Sequence, residues 1–222
     1  MSFQIAIDGP AGAGKSTVAK KAASLLGFVY IDTGAMYRAI GLDCLNKGIN
    51  LDDEEAVSNN AEKADVTIAF VDGVQAVMLD GKNVNGLIRT QEVGDAASKV
   101  SVYKRVRAKL VELQQSLAAS TDVVMDGRDI ATVVLPNAEL KIYLDASVEV
   151  RAKRRYDELI AKGQTADLKV IEKEVAERDY RDMHRENSPL TRVPEAVYID
   201  SSNMTIDEEV DAIISEVKKL RK

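Results

Sequence analysis

The residues with the clearest chemical potential lie near the start of the chain, in the run Gly9-Pro10-Ala11-Gly12-Ala13-Gly14-Lys15-Ser16. This run matches the phosphate-binding pattern G-x-x-x-x-G-K-[ST] at every fixed position. Glycines allow backbone N–H groups to surround a phosphate, and the N-terminus of a following helix adds partial positive charge. Lys15 can reach the β- and γ-phosphates of a nucleotide, and the Ser16 hydroxyl can ligate Mg²⁺. The run therefore predicts a triphosphate site.

A second candidate, Asp126-Gly127-Arg128-Asp129, directly follows the apolar run Val123–Met125. Ligands of open parallel sheets bind beyond the carboxyl ends of the strands, so this position favours a functional role over a plain turn. Asp126 is placed to hold a Mg²⁺-bound water, and Arg128 is placed to reach a transferring phosphoryl group. Asp32 also ends a predicted strand, and here a ligand role and capping of the next helix are equally open.

Arginines with helical spacing form two further sets. The sets comprise Arg151, Arg154 and Arg155 at i, i+3 and i+4, and Arg178, Arg181 and Arg185 at i, i+3 and i+7. Residues with this spacing share one face of a helix. Guanidinium groups bind phosphate oxygens bidentately and neutralise charge during phosphoryl transfer, which favours a second anionic substrate. The alternative is that both sets are solvated faces paired with nearby acids.

Composition excludes several classes of protein. The chain has 222 residues and a net charge of −6, so no global positive field attracts nucleic acid or an anionic membrane. With one cysteine and one histidine, Cys/His metal sites and an intrachain disulfide are excluded, and histidine-dependent triads lose support. Cys44 is expected to be a small buried hydrophobe. No signal peptide or apolar run long enough to span a membrane is visible, so a cytoplasmic protein is expected.

Alternating strands and helices predict an α/β fold that can position these residues. The predicted strands are Phe3–Asp8, Phe28–Ile31, Asp122–Asp126, Leu140–Leu144 and Val197–Ile199. The predicted helices are Lys15–Leu26, Gly34–Asn46, Tyr103–Leu117, Val148–Lys162, Lys169–His184 and a last helix opened by the capping box of Thr205 and Glu208. This alternation favours right-handed crossovers and a parallel sheet.

The pattern changes between about Lys63 and Arg89. Two runs, Val66–Val71 and Val74–Leu79, flank Asp72-Gly73, a pair typical of a tight hairpin turn. We expect a small antiparallel insertion on the α/β body.

Other classes of nucleotide-binding protein are disfavoured: the guanine-reading pattern Asn-Lys-x-Asp is absent from the sequence, and the chain is too short for a helicase pair. What remains is a small phosphate-binding protein whose clustered arginines suggest a second anionic substrate.

Taken together, the motifs resemble the bacterial cytidylate kinase family of nucleoside-monophosphate kinases. The resemblance runs in family order over residues 3 to about 200. It rests on Gly9–Thr17, Asp32–Arg38, Ile88–Val93, Ala96–Ser98, Arg105–Arg107, Asp126–Asp129, Arg151–Arg155 and Glu177–Arg185. It implies transfer of the ATP γ-phosphoryl group to CMP or dCMP in pyrimidine nucleotide metabolism, with Mg²⁺ as the cofactor.

The same resemblance implies a three-layer P-loop NTPase fold whose five-stranded parallel sheet has the order 2-3-1-4-5. It divides one domain, residues 1–222, into a core (1–35, 104–150 and 190–222), a monophosphate-binding region with the β insertion (about 36–103) and a mobile helical lid (about 151–189). The absence of a long apolar heptad run in the sequence favours a monomer.

Site residues follow from the resemblance at matching positions. Gly9 to Thr17 would hold the ATP phosphates, together with the lid arginines Arg151, Arg154 and Arg155. The substrate-binding residues would be Thr33, Tyr37, Arg38, Ser98, Arg107, Arg128, Asp129, Arg178, Asp182 and Arg185. The catalytic residues would be Lys15, Arg128, Arg185 and Asp126, with Ser16 and, through water, Asp126 at the metal. Ser98, Arg107 and Asp129 would read the cytosine edge.

Two residues, Thr33 and His184, depart from the family pattern or receive no role, and two other functions remain open. Thr33 stands where family members often have serine, which keeps the hydroxyl but adds bulk. His184 lies among these residues, yet an exposed helix surface is the expected environment. The rivals are a P-loop kinase for another acceptor, such as UMP, AMP or a small hydroxyl metabolite, and a nucleotide-dependent switch that phosphorylates no acceptor.

Overall fold

The computed structural model describes residues 2–71 and 74–221, which form two compact units. The first unit contains the chain up to Tyr30 and again from Asp122 onward, and the second contains Ile31–Thr121. The helices are α1 (Lys15–Leu26), α2 (Thr33–Asn46), α3 (Glu54–Lys63), α4 (Gln91–Val100), α5 (Lys104–Ala118), α6 (Val148–Ala161), α7 (Leu168–His184) and α8 (Ile206–Leu220). The strands are β1 (Gln4–Asp8), β2 (Val29–Asp32), β3 (Val66–Val71), β4 (Val74–Leu79), β5 (Lys82–Asn83), β6 (Val123–Gly127), β7 (Leu140–Asp145) and β8 (Val197–Asp200).

A five-stranded sheet has the strand order β2-β6-β1-β7-β8. Strand β1 pairs in parallel with β6 and β7, and β7 pairs in parallel with β8. Counted along the chain, these five strands have the order 2-3-1-4-5, so the predicted sheet is confirmed. At its carboxyl edge, Asp8 of β1 lies beside Gly127 of β6 and Tyr143 of β7. The residues that follow these strands therefore meet at one edge.

Aliphatic side chains of this sheet and of two helices form the core of the first unit. Ile5 and Ile7 of β1 are fully buried together with Val18 of α1, Ile142 of β7 and Ile213 of α8. Strands covered by helices on their faces carry nearly continuous apolar runs, which is the pattern that β1, β6 and β7 show in the sequence. This core packs the strands whose carboxyl ends carry the predicted site residues.

The second unit contains α2 to α5 and a three-stranded antiparallel sheet of order β3-β4-β5. Strands β3 and β4 are antiparallel: Val66 pairs with Leu79 at one end, and Val71 pairs with Val74 at the other. The predicted insertion is therefore confirmed. Its predicted turn at Asp72-Gly73 lies outside the described residues. Helices α2 and α4 approach closely at Gly41, where a Cβ atom would lie 2.9 Å from the backbone nitrogen of Ala97.

Most predicted elements are confirmed to within a residue or two, including the capping box of Thr205 and Glu208 that begins α8. The sequence interpretation missed α3, α4 and the short β5. Helix α3 is a polar surface helix, and its signal was Asp53, whose side chain accepts the N–H of Ala56. Helix α4 had a comparable signal in its N-cap residue Thr90. Within the described residues, no helix combines the length and apolarity needed to cross a membrane.

Candidate active site

The loop between β1 and α1, residues 9–14 (the phosphate loop), has glycines in the conformations that the phosphate-binding motif predicts. Gly9, Gly12 and Gly14 have φ values of 152°, 78° and 89°, in the region that side chains rarely adopt. At Gly9 a Cβ atom would lie 2.0 Å from the carbonyl oxygen of Leu144 and would clash with β7. Gly14 is the N-cap of α1, so the loop ends at the positive pole of a helix.

Lys15 and Ser16 follow at the beginning of α1, where the motif predicts them to act. Lys15 is buried, and its Nζ donates a hydrogen bond of 2.7 Å to the carbonyl oxygen of Pro10. The Ser16 hydroxyl donates to Oδ2 of Asp126 at 2.8 Å. The Tyr30 hydroxyl donates to the other oxygen, Oδ1, also at 2.8 Å. The loop and the end of β6 are thus joined through Asp126.

Tyr30 is a residue of this site that the sequence interpretation missed. It lies in β2, next in the sheet to β6, and its hydroxyl fixes the carboxylate of Asp126 against Ser16. The available signal was a polar tip at the end of an apolar strand. Because the two residues are 96 positions apart in the sequence, local spacing could not pair them.

Charges of both signs surround Lys15. Burial lowers the pKa of Lys15 strongly, and the positive charge of Arg128 lowers it further. The carboxylates of Asp126, Asp182 and Asp8 raise it in part. A lysine in this setting gains by meeting an anion, because additional negative charge offsets the loss of hydration.

The segment after β6 brings the predicted acceptor-site residues to the same edge of the sheet. Arg128 donates from Nε to Oδ2 of Asp182 on α7 at 2.8 Å. Burial alone would raise the pKa of Asp182, but the charge and hydrogen bond of Arg128 hold it below its ordinary value. Arg185 lies 3.9 Å from Asp129, and the charge of Arg178 also lowers the pKa of Asp182. Four of the predicted substrate residues thus form one network with Arg128.

The predicted lid arginines do share helix α6, but their environments differ. Arg151 is buried and donates two hydrogen bonds to Asp179 of α7, at 3.0 and 2.5 Å. It also donates to the carbonyl oxygens of Ala11 and Ala146, at 3.0 and 2.8 Å. Arg151 therefore joins α6, α7 and the phosphate loop.

Arg154 and Arg155 lie further from the core. Arg154 donates from Nη2 to the backbone oxygen of Ser201 at 2.8 Å and from Nη1 to that of Ala13 at 3.4 Å. Arg155 pairs with Glu158 one turn along the helix, at 2.9 Å. Arg154 is thus placed at the phosphate loop, and Arg155 at the half-exposed surface of α6.

In the second unit, Asp32 begins α2 as its N-cap, because its side chain accepts the N–H of Ala35 at 3.0 Å. The capping role left open by the sequence is confirmed. The same carboxylate pairs with Arg89 at 2.6 Å, and Thr33 is buried in the first turn of the helix. Asp32 therefore orders the start of the helix that carries Tyr37 and Arg38.

Further predicted substrate residues lie on α2, α4 and α5 of this unit. Arg107 of α5 is buried, donates to the carbonyl oxygen of Ser101 at 3.1 Å, and lies 5.5 Å from the ring centre of Tyr37. Arg38 donates to the carbonyl oxygen of Ile88 at 3.0 Å. Its guanidinium fits against Gly94 of α4, where a Cβ atom would lie 3.0 Å away. Ser98 lies on α4, one turn beyond Gly94.

Cys44 and His184, for which the sequence predicted no chemical role, lie in the environments that were expected. Cys44 is buried, and burial raises the pKa of its thiol. His184 is exposed at the end of α7, where its ring stacks on Tyr180 at 4.0 Å. Across the part of the chain that the structure describes, no group of three or more His, Cys, Asp or Glu side chains is arranged to hold a metal ion.

Known proteins with similar sequences share one description. The family described as cytidylate kinase matches residues 5–219. A cytidylate kinase from Lactobacillus gasseri is 49% identical over 99% of this chain and 96% of its own length. One from Ligilactobacillus salivarius is 50% identical over 98% and 97%, and one from Caldicellulosiruptor saccharolyticus is 50% identical over 96% and 94%.

Solved structures similar to this chain include a gluconokinase from Sinorhizobium meliloti. It has a TM-score of 0.51 at 14% identity and covers 98% of this chain and 93% of its own. An uncharacterised protein from Eubacterium ventriosum has a TM-score of 0.53 at 12% identity, with 98% and 99% covered. At such identities the similarity shows the fold alone.

Proposed function

The chain belongs to the cytidylate kinase family, and on that premise we propose how its residues transfer the γ-phosphoryl group of ATP to CMP or dCMP. The products are ADP and CDP or dCDP. The observation that supports the residue assignment best is the junction of the phosphate loop with the end of β6, where Ser16 meets Asp126 at 2.8 Å. This junction supports the proposal because it joins the loop that would bind ATP to the end of β6, from which Arg128 and Asp129 follow.

The phosphate loop would bind the ATP phosphates through its backbone N–H groups, the positive end of α1 and Lys15. Lys15 would exchange its hydrogen bond to the carbonyl oxygen of Pro10 for one to a phosphate oxygen. Arg154 donates to the backbone oxygen of Ala13 in the same loop, so it is the lid arginine best positioned to bind the ATP phosphates as well. Arg151 would reach ATP only by giving up part of its pairing with Asp179, so we expect it to hold the loop as well.

Mg²⁺ fits the residues present at the end of β6. The Ser16 hydroxyl and the Asp126 carboxylate are adjacent oxygen ligands, the type that this hard cation prefers. Ser16 would bind the ion directly, and Asp126 would hold it through a water molecule. When bound, the ion would neutralise charge on the phosphates.

The role of each acceptor-binding residue is the one that the family resemblance implies. Arg38 and Arg128 would bind its phosphate, with Thr33 and Tyr37 beside it. Ser98, Arg107 and Asp129 would read the cytosine edge. Asp182 would bind the sugar, with Arg178 and Arg185 nearby. In the first unit, Arg128 is already oriented by Asp182, so one network would connect sugar and phosphate binding.

Chemistry at this site requires no general base. The acceptor is already a phosphate oxyanion, so proton removal from the nucleophile is unnecessary. Catalysis would come from alignment and from charge stabilisation by Lys15, Arg128 and Arg185. Closure of the α6–α7 lid would exclude water, which otherwise competes as an acceptor.

The test is release of ADP from Mg²⁺-ATP with CMP, dCMP, UMP, AMP, GMP or no acceptor. We expect turnover with CMP and dCMP to exceed the others by at least tenfold. Preference for another acceptor would overturn the base assignment while keeping the phosphate site. ATP binding without acceptor-dependent turnover would favour a nucleotide-dependent switch. Light scattering during size-exclusion chromatography would test the expected monomer.

A further inference from the structure

Asp8 is a buried acid to which the proposed mechanism assigns no role. It is the last residue of β1, directly before Gly9, and only 2% of it is exposed. One carboxylate oxygen accepts the backbone N–H of Ile130, and the other accepts that of Ala131, both at 2.8 Å. These two N–H groups begin a short π-helical turn, Ile130–Val134, that follows Asp129.

The turn is capped in an unusual way. Asp129 stands at its N-cap position, where an aspartate side chain normally accepts the first N–H groups of the helix. The Asp129 side chain makes no such capping hydrogen bond. Asp8, which is more than 120 positions away in the sequence, accepts both N–H groups instead. The carboxylate of Asp129 is thereby left to face in another direction, where Arg185 lies 3.9 Å away.

Asp8 performs this capping although a buried charge is unfavourable. Burial raises its pKa to about 6, and the negative charge of Asp129 contributes to that increase. The two backbone hydrogen bonds and Lys15 on α1 act in the opposite direction. On the β7 side, Tyr143 is the strand neighbour of Asp8; burial raises the pKa of its phenol, and the charges of Asp145, Asp179 and Asp8 raise it further. A buried carboxylate is unfavourable unless it is hydrogen-bonded, so both oxygens of Asp8 depend on these two N–H donors.

We propose that Asp8 is a positioning residue for acceptor recognition: by capping the turn in place of Asp129, it orients Asp129 toward CMP. The inference rests on the proposed function, because it assumes that Asp129 reads cytosine. Asp8 touches neither substrate in this scheme. It acts through the backbone of Ile130 and Ala131, which fixes the direction of the residue before them.

The variant Asp8→Asn tests the proposal with little change in shape. An amide offers one acceptor and one donor group, so one of the two backbone N–H groups loses its acceptor. We expect kcat/KM for CMP to fall by about tenfold or more, and the ratio of kcat/KM for CMP to that for UMP to fall with it. The KM for ATP should stay within about twofold, because the phosphate loop keeps its glycines and Lys15.

Asp122→Asn is the matched control. Asp122 precedes β6 at the opposite end of the same strand pair, and its carboxylate accepts the backbone N–H of Phe3 at 2.7 Å. This variant should keep the wild-type ratio of CMP to UMP. The proposal is overturned if Asp8→Asn keeps that ratio, or if it loses CMP, UMP and ATP use in equal proportion, as a purely structural defect would.

A measurement on the wild-type enzyme covers the case in which Asp8→Asn does not fold. Protonation of Asp8 removes an acceptor, so the CMP-to-UMP ratio should fall as the pH is lowered from 8 through about 6. The ratio cancels titration of the acceptor phosphate, which CMP and UMP share. A ratio that is constant over this range rejects the proposal. A wild-type enzyme without preference for CMP at pH 8 rejects the proposed function itself, which separates the two failures.

Discussion

Each unit contains two helices that are joined by an arginine on one helix and a carboxylate on the other, and in both cases the arginine donates two hydrogen bonds. In the first unit Arg151 of α6 binds Asp179 of α7, and these side chains are 4% and 11% exposed. In the second unit Arg105 of α5 binds Glu62 of α3 at 2.7 and 2.6 Å, and these side chains are 45% and 48% exposed. Both pairs are bidentate, through Nη1 and Nη2 in Arg151 and through Nε and Nη2 in Arg105, but their surroundings are opposite.

This difference in burial predicts different energetic roles for the two pairs. A buried pair has lost its hydration, so each partner depends on the other and loss of one leaves an uncompensated charge. An exposed pair is screened by water and salt, and either partner can be solvated instead. Arg151 also donates to Ala11, which ties the buried pair to the phosphate loop. The exposed pair has the simpler role of a surface contact between α3 and α5.

Among the buried charged residues, Lys15 should have the largest effect on activity when it is replaced. In Lys15→Met we expect kcat to fall by about 10³-fold, because a preorganised cation at the transferring phosphoryl group is lost. The protein should be no less stable at pH 7, since burial lowers the pKa of Lys15 and thus disfavours its charged form in the folded state. Steady-state kinetics and urea denaturation measure the two effects. Turnover near the wild-type rate would refute the assignment of the phosphate loop.

Asp179→Ala breaks the buried pair directly. The Arg151 guanidinium would keep two backbone acceptors but lose its counter-charge, so the free energy of unfolding should decrease by about 3–5 kcal/mol. Urea denaturation measures this change. Asp157→Ala on α6 is the control, since Asp157 forms an exposed pair with Lys153, and it should unfold like the wild type. Equal stability of the two variants would contradict the role assigned to burial.

Replacing Arg107 tests whether a buried arginine of the second unit recognises the base of the acceptor. In Arg107→Met we expect the preference for CMP over UMP to fall by roughly 10- to 100-fold, because a polar contact to the base is lost. The KM for ATP should change much less. Competition between CMP and UMP measures the preference directly. An equal loss for every acceptor base would argue against recognition of cytosine by Arg107.

Glu62→Ala should have the smallest effect, at the exposed end of the comparison. The hydrogen bond from Arg105 lowers the pKa of Glu62, so the pair stabilises the fold above the ordinary glutamate pKa and loses that contribution as the pH falls. Because the pair is exposed, we expect no resolvable change in the midpoint of thermal unfolding at pH 7. A clear decrease that persists at high salt would show that geometry alone makes such a pair stabilising.

The sequence predicted the fold where local signals agree. Apolar runs of strand length, the glycines before α1 and the capping box of α8 each indicate one structure, and all are confirmed. Helix α3 was missed because its apolar residues are few, so that the cap at Asp53 is its main signal. Helix α4 has a helical apolar spacing in Val93, Ala96, Ala97 and Val100 as well as the cap at Thr90, and the sequence interpretation did not use either signal. Strand β5 has two residues, too short for any periodic pattern.

By itself, the sequence determined the chemistry of the phosphate loop, since the residue types and their order are set by covalent connectivity. It also determined that Arg151, Arg154 and Arg155 share one helix face, because helical spacing is local. Only the tertiary structure decided which partner each arginine meets, and Asp179 makes Arg151 a buried structural link. It alone revealed Tyr30 at Asp126 and Asp8 as the cap beside Asp129. Those contacts join residues about a hundred positions apart, and packing of the strands, rather than any local rule, brings them together.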